Sequence, residues 1–241
     1  MSGHSKWNNI KNKKGKEDAK RAQEFTKIAK YIMVAAKNGG SNPEFNPSLK
    51  TAVEKAKAIN MPNDNIERAI KKGAGELEGV NYEEITYEGY GVAGAAIIAH
   101  CLTDNRNRTA ADVRHIFDKH GGNLGTTGSV GYMFNMLGYI VVETSENDDV
   151  DDIMMRAIEL GASDVTNDEN IVEIFTDPKD LETVYSGLNN AGLNIIEHDT
   201  SYFADNEITL SDEDLAKMER LVDALEENDD VQEVYHNVEN L

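Results

Sequence analysis

Basic and acidic side chains are segregated along this chain of 241 residues. Residues 1–76 contain 16 Lys and Arg against 8 Asp and Glu, which gives this part a net charge of +8. Because the whole chain has 24 basic and 44 acidic side chains, residues 77–241 hold 8 basic and 36 acidic ones, a net charge of −28. Such asymmetry is typical of a basic arm that binds a polyanion, joined to an acidic, solubilising body. The charges therefore predict a domain boundary close to residue 79.

The basic part carries the periodicity of three amphipathic helices. Apolar residues recur at steps of three and four from residue 22 to residue 36, which predicts a first helix. Asn46 followed by Pro47 is typical of an N-cap and a first helical residue, and this pair opens a second helix. Asn63 is expected to cap a third helix that finishes at Gly73. Together these patterns predict a small helical bundle.

One face of the first helix is rich in lysine. An arc of about 90°, opposite the apolar stripe, contains Lys16, Lys20, Lys27, Lys30 and Lys37. Either this arc is the solvated face of an ordinary amphipathic helix, or it binds a polyanion. The absence of an opposing carboxylate from the arc favours the second interpretation. Lys71 and Lys72, which end the third helix, are secondary candidates because lysines there also complement the helix dipole.

The acidic part begins with a predicted hairpin. Residues 85–90 and 95–102 are β-rich runs joined by a glycine-bearing turn. Thr109 and Asp112 resemble a capping box at the start of a helix that stops at Gly121. A sheet with one covering helix is therefore expected here.

From residue 139 to residue 203 the predicted elements follow the order βαββαβ, which is the order of the ferredoxin-like split βαβ unit. Asp177-Pro178 marks the expected start of its second helix. A last helix, opened by Ser211, leads to a strand at 231–236, which we expect to join the earlier sheet because the preceding unit is already complete.

The predicted fold class is α+β multidomain, with an N-terminal three-helix domain followed by two α+β (ferredoxin-like, split βαβ type) domains, the last inserted in the second. The predicted domains are 1–79, a basic helical nucleic-acid-binding domain; 80–134 with 205–241, a discontinuous α+β domain; and 135–204, an inserted α+β domain.

Cys101 is the only cysteine, which excludes an intramolecular disulfide and a zinc site built on two thiolates of one chain. With His115 and His120 it forms the one grouping of nucleophile and base types that suggests an enzyme. A buried thiol is common at the end of an apolar strand, however, and a five-residue spacing does not put both histidines on one helical face. We therefore predict no catalytic residue, no metal, no cofactor and no small-molecule substrate.

Two other positions leave alternatives open. Arg106 and Arg108 precede the predicted helix start, where they either grip a phosphate or pair with the surrounding carboxylates. Trp7, the only tryptophan, either stacks on a nucleic-acid base or docks onto the helical bundle. The glycines of GGNLGTTGSVG fit neither the P-loop nor the dinucleotide pattern, and we expect them to serve turns.

The sequence also bears on location. No apolar run approaches the ~18 residues that span a bilayer, and the polar first residues do not resemble a secretory signal. We expect a cytoplasmic protein without a membrane partner.

Long strings of this sequence resemble the YebC/PmpR family. They are SGHSKWNNIKNKKGKEDAKRAQEFTKI at the start, NMPNDNIERAIKKGAGE at 60–76, and YEGYG with CLTDNRNRTAADVRHIFDKHGGNLGTTGSVGYMF within 87–134. The chain departs from the family pattern at Val92 and Ala93, where Pro-Gly is frequent, and at Thr127, where Asp is frequent. The resemblance covers essentially the whole chain, and it is much more specific than the short motifs.

The resemblance implies a three-domain fold, a bacterial cytoplasmic location and no catalytic activity. Family members are described as DNA-binding transcriptional regulators and also as ribosome-associated factors that relieve stalled translation, and mitochondrial members include the translational activator of cytochrome c oxidase. The expected partner is therefore DNA, ribosomal RNA or both, and the ribosome itself is a further possible partner. The family's N-terminal contact motif corresponds to His4, Ser5, Lys6 and Trp7 and to the basic residues after them, namely Lys11, Lys13, Lys14, Lys16, Lys20, Arg21, Lys27 and Lys30.

Three hypotheses follow from the sequence. The first is a non-enzymatic regulator that neutralises nucleic-acid phosphates with its basic domain. The second is a protein-interaction module whose basic arm docks onto an acidic partner or onto its own body. The third, an enzyme that uses Cys101, requires that Cys101→Ala abolish function, and we expect that substitution to affect stability only modestly.

Overall fold

The structure is a computed structural model that describes residues 21–241. It consists of α-helices and two four-stranded antiparallel sheets, which confirms the α+β class. The α-helices are α1 (Arg21–Gly39), α2 (Pro47–Ala58), α3 (Asn63–Gly73), α4 (Arg106–Lys119), α5 (Val150–Glu159), α6 (Leu181–Asn190) and α7 (Asp212–Glu226). The strands are β1 (Glu83–Tyr90), β2 (Ala96–Thr103), β3 (Asn123–Leu124), β4 (Phe134–Glu143), β5 (Asp164–Asp168), β6 (Ile171–Thr176), β7 (Ile195–Ala204) and β8 (Val231–His236).

Helices α1 to α3 form the predicted bundle. The prediction for α2 is confirmed, since the Asn46 side chain accepts a hydrogen bond from the Leu49 N–H (3.1 Å) and Pro47 is the first helical residue. The prediction for α3 is wrong at its cap, because Pro62 occupies the cap position without a side-chain hydrogen bond and Asn63 is already helical. The core of the bundle consists of Ile32, Ala36, Leu49, Ala52, Ala56, Met61, Ile66 and Ala69.

The first sheet has the strand order β3-β1-β2-β8. Strand β8 pairs antiparallel with β2, so the last strand does return to the sheet that β1 begins. Helix α4 starts earlier than predicted, because Asn105 is its N-cap and accepts from the Arg108 N–H (3.1 Å). The predicted capping box at Thr109 is therefore wrong. Ser211, by contrast, caps α7 as predicted and accepts from the Asp214 N–H.

The second sheet has the order β5-β6-β4-β7, which confirms the βαββαβ unit. Helix α6 begins at Leu181, three residues after the predicted start at Pro178. The core of this unit lies between the second sheet and the helices α5 and α6. It contains Ile140, Val142, Ile153, Ala157, Val172, Ile174, Val184 and Leu188. Because β8 returns to the first sheet, the segment that forms the second sheet is inserted between two parts of the first α+β region.

The described chain divides into two compact units. One contains residues 21–131 and 210–236, and the other contains residues 132–209 and 237–241. In the second unit Ile208 forms a parallel bridge with Val238, so the last residues pack with the insertion, although the sequence assigned them to the discontinuous domain. The residue boundaries of the three domains stay a prediction.

Candidate nucleic-acid interface

Most of the predicted contact residues precede the part of the chain that the structure describes. These are His4, Ser5, Lys6, Trp7, Lys11, Lys13, Lys14, Lys16 and Lys20. Arg21 is the first residue of α1, and its side chain also lies outside the described part. Their contact with nucleic acid stays a prediction, as do both interpretations of Trp7.

Two lysines of α1 contact the C-terminal end of α7 and the turn that follows it. The Lys27 ammonium donates to the Glu226 carbonyl (2.7 Å), and the Lys30 ammonium donates to the Asp229 carbonyl (2.7 Å). The Gln23 side chain adds a hydrogen bond to the Glu227 carbonyl (2.7 Å). The last carbonyls of a helix lack partners within the helix and carry its negative dipole end, so cations and amide donors are favoured there.

Lys30 also enters an ionic cluster centred on the buried Asp230 carboxylate, which we call the Asp230 cluster. Its members are Lys30, Thr103, Arg108, Thr109 and Asp230. The Lys30 ammonium lies 2.8 Å from Asp230 Oδ1, and Arg108 Nη2 lies 2.7 Å from Asp230 Oδ2. The Thr109 hydroxyl donates to the same Oδ2 at 2.8 Å, and the Thr103 hydroxyl does so at 3.2 Å. The cluster therefore joins α1, β2, α4 and the turn before β8.

These contacts change the acidity of Asp230. Burial raises the pKa of its carboxyl, but the hydrogen bonds from Arg108, Lys30 and Thr109 favour the charged form more strongly, and they lower the pKa to about 2. The carboxylate is therefore charged at any physiological pH. It balances the buried Lys30 ammonium, whose residue is 5% exposed.

The lysine arc of α1 is therefore divided. Lys30 does not belong to a solvated face, because it is buried and its ammonium pairs with Asp230 in the turn before β8. Lys27 is half-buried against α7, whereas Lys37 is exposed and contacts the Asn81 side chain. A basic helical face of this kind can serve the contact between domains as well as a ligand.

Arg106 and Arg108 lie inside the first turn of α4, not before the helix as predicted. Arg108 pairs with Asp104 (2.8 Å) as well as with Asp230, and Arg106 lies 3.7 Å from Glu83 with both side chains at least half exposed. Both arginines thus follow the interpretation in which they pair with carboxylates. The exposed Arg106 pair contributes little to stability.

Helix α3 presents cations that differ from those of α1. Arg68, Lys71 and Lys72 are exposed, and none of them forms a salt bridge within residues 21–241. Arg68 and Lys72 border a cleft of about 270 Å³ between α1 and α3, which we call the α1–α3 groove. Its lining includes Phe25, Met33, Met61, Asn65 and Tyr82.

The grouping around Cys101 does not have the properties of a reactive site. Burial, together with the charge of Asp230, raises the pKa of the Cys101 thiol to about 12, so the thiol is protonated at neutral pH and is a weak nucleophile. His115 is exposed on α4, and Cys101 is fully buried in β2. Within residues 21–241 no three His, Cys, Asp or Glu side chains gather as metal ligands.

The glycine-rich segment after α4 is organised by a buried carboxylate. Glu88 of β1 accepts hydrogen bonds from the backbone N–H groups of Gly128 (2.7 Å), Val130 (2.9 Å) and Gly131 (2.5 Å). Burial raises the pKa of Glu88, but the three hydrogen bonds together lower it by more than burial raises it. The pKa of Glu88 therefore lies below its usual value. The N–H groups that a phosphate loop would offer to a ligand are thus occupied by Glu88, as expected for turns.

Sequence reasoning missed two buried carboxylates that organise the loops around them, Asp230 and Glu88. Asp230 follows Asp229 in an acidic turn, and no local pattern separates the two. For Glu88, an acidic residue in an apolar strand followed by a glycine-rich segment was the available signal.

Comparison with known proteins identifies the family. Residues 5–76 match the TACO1/YebC protein N-terminal domain, and residues 82–238 match the TACO1/YebC second and third domain. The chain belongs to the TACO1/YebC family. Its TACO1/YebC relatives include a probable transcriptional regulatory protein of Clostridium novyi, 53% identical over 239 residues, with 99% of this chain and 97% of the relative covered. Another, from Caldanaerobacter subterraneus, is 55% identical with 99% and 98% covered and has the same name.

The fold is also found in a solved structure. A conserved hypothetical protein from Aquifex aeolicus is 46% identical, and its crystal structure superposes with a TM-score of 0.82 over 98% of this chain and 96% of that one. By its family, the chain is grouped with proteins named as regulators of transcription. In the part of the TACO1/YebC chain described here, every helix is too short or too polar to cross a bilayer.

Proposed function

We propose that this chain is a non-enzymatic, DNA-binding regulator of gene expression that contacts phosphates through its N-terminal domain. The observation that carries the proposal is the charge segregation, +8 in residues 1–76 against −28 in the rest. The names of its relatives as probable transcriptional regulatory proteins support the same function.

The positions of the lysines narrow the proposed interface. Lys27 and Lys30 already bind carbonyls and a carboxylate within the chain, so they are poorly placed to receive a phosphate. Duplex binding is assigned to the basic residues from Lys6 to Arg21, with the exposed Lys71 of α3 as an additional contact. Contacts of this kind provide affinity and positioning and no base-edge recognition. The acidic body opposes indiscriminate association with polyanions.

Ribosomal RNA is the alternative polymer, which the family resemblance implies and which phosphate contacts alone do not distinguish from DNA. Crosslinking in cells followed by sequencing of the attached nucleic acid separates the two. Recovery of promoter fragments supports the transcriptional role. Recovery of one ribosomal RNA region instead supports a translation factor that acts on the ribosome.

The interface itself is tested with the full-length chain and fluorescent duplex DNA across a range of salt concentrations. Lys13→Glu with Lys14→Glu should weaken binding at least tenfold. It should also make the slope of log affinity against log salt concentration shallower, by the amount that corresponds to about two phosphate contacts. The matched control, Lys50→Glu with Lys57→Glu, makes the same change in net charge on exposed positions of α2 and should change affinity by less than about threefold. Equal weakening by both pairs would mean that net charge alone drives binding. Absence of binding by the unaltered chain at low salt would refute the proposal.

A further inference from the structure

The α1–α3 groove combines an apolar lining with a cationic rim. Phe25 and Met33 come from α1, Met61 precedes α3, and Tyr82 precedes β1. Met61 is buried, whereas Phe25, Met33 and Tyr82 are half-buried and so keep part of their surface available in the cleft. Thioether and aromatic groups form polarisable surfaces on which flat rings pack well.

Arg68 and Lys72 form the rim on the side of α3. They are four residues apart, so they lie on one face of the helix on successive turns. Both are exposed, and neither forms a salt bridge within residues 21–241. Within the described residues, therefore, these two cations have no carboxylate partner, unlike Lys30 on the opposite side.

Tyr82 adds an aromatic ring held in place by charge. The Lys30 ammonium lies 5.3 Å from the centre of the Tyr82 ring, and Lys30 is itself fixed by the Asp230 cluster. Burial, with the charges of Asp104 and Asp230, raises the pKa of the Tyr82 hydroxyl above its usual value. The phenol therefore stays neutral at physiological pH and does not repel a phosphate.

We propose that the α1–α3 groove binds one unstacked base of a single-stranded nucleic acid, with the adjoining phosphate at Arg68 and Lys72. This inference rests on the proposed function, since it names the strand state and the site that the N-terminal domain recognises. An apolar floor with aromatic rings beside cations is the combination that single-strand-binding proteins use for base and backbone. The exposed Asn65 side chain offers both a donor and an acceptor to the edge of a base.

The size and shape of the groove favour a single base. Its volume of about 270 Å³ lies just below the range for small-molecule sites, roughly 300–1,000 Å³. A base within a duplex is stacked on both faces and cannot enter a cleft of this kind unless it is extruded. The groove should therefore distinguish single strands from duplexes of the same sequence, which phosphate contacts alone do not.

The test uses the full-length chain with oligonucleotides that contain 2-aminopurine, whose fluorescence reports stacking. Binding of the unaltered chain to a single strand should change this fluorescence. Tyr82→Leu should reduce single-strand affinity about five- to hundredfold and abolish most of the fluorescence change, whereas Tyr82→Phe should retain both. Arg68→Ser with Lys72→Ser should weaken single-strand binding about tenfold, and Lys50→Ser with Lys57→Ser is the matched control on α2. Duplex affinity should change by less than about threefold in all four variants.

The outcomes separate this inference from the proposed function. If the groove variants bind single strands like the unaltered chain while Lys13→Glu with Lys14→Glu weakens binding, the groove proposal is wrong and the proposed function stands. Equal losses for single strands and duplexes would also overturn the groove. If the unaltered chain binds neither polymer at low salt, both proposals fail. Parallel RNA and DNA strands of one sequence show which polymer the groove prefers, and binding to either supports it.

Discussion

Helices α1 and α3 belong to one bundle, and the sequence of each predicts cationic side chains on its surface. In the structure, however, the cations of the two helices have different environments. On α1, Lys27 and Lys30 point to the end of α7 and into the Asp230 cluster. On α3, Arg68 and Lys72 remain at the surface beside the α1–α3 groove. The comparison shows that a row of lysines opposite an apolar stripe does not by itself indicate a ligand.

The difference arises from what each helix faces. The C-terminal end of α7 offers carbonyls without helical partners, and Asp230 offers a buried carboxylate, so lysines near them are favoured. A phosphate that bound Lys30 would displace Asp230 from it. Asp230 would then keep only its contacts with Arg108, Thr103 and Thr109. Within residues 21–241, by contrast, none of the cations Arg68, Lys71 and Lys72 of α3 forms an ion pair.

The largest effect is expected for Asp230→Asn. This change removes the carboxylate that balances a buried ammonium, and breaking such a pair from one side costs about 3 kcal/mol or more of unfolding free energy. Urea denaturation of the full-length chain, followed by circular dichroism, measures the loss. Asp229→Asn is the matched control, because Asp229 is exposed and its contact with Lys30 uses the backbone carbonyl. Equal effects of the two substitutions would show that the Asp230 cluster does not secure α1.

Acid should remove the same stabilisation gradually. The pKa of Asp230 is lowered to about 2 in the folded chain from the ordinary value of 3.8, so the folded state binds this proton less readily than the unfolded state. Its contribution is complete above about pH 5, begins to fall near the unfolded pKa, and is lost as the pH falls through the folded value.

The measurement is the difference in unfolding free energy between the unaltered chain and Asp230→Asn, taken at several pH values, because the other carboxylates cancel in the difference. This difference should be constant above about pH 5 and shrink between about pH 4 and pH 2. A difference that did not change over that range would contradict the assigned pairing.

Local features of this fold were predictable from the sequence. The caps at Asn46 and Ser211 and the βαββαβ order depend on residues within a few positions of one another or on simple periodicity, and the structure confirms them. The return of β8 to the first sheet followed from the need of a lone strand for partners.

Features that depend on distant pairs were not predictable. Lys30 and Asp230 are 200 positions apart, and the sequence around each resembles an ordinary solvated segment. The start of α4 was misplaced for the same reason, since Thr109 looked like a cap but its hydroxyl binds Asp230, 121 positions away. Of the candidate site, the sequence identified the basic domain, and it did not identify which cations the fold itself uses.

The smallest effect is expected from one substitution made in both helices, Lys27→Met and Lys72→Met. Methionine preserves most of the side-chain volume and helix propensity, so the loss of the ammonium dominates. Lys27→Met should cost about 1 kcal/mol of unfolding free energy, because its ammonium donates to a C-terminal carbonyl of α7. Lys72→Met should change stability by no more than about 0.5 kcal/mol, since its ammonium is exposed. Thermal and urea denaturation of both variants measure the difference, and a larger loss for Lys72→Met would reverse the assignment of α1 to internal contacts and α3 to an external ligand.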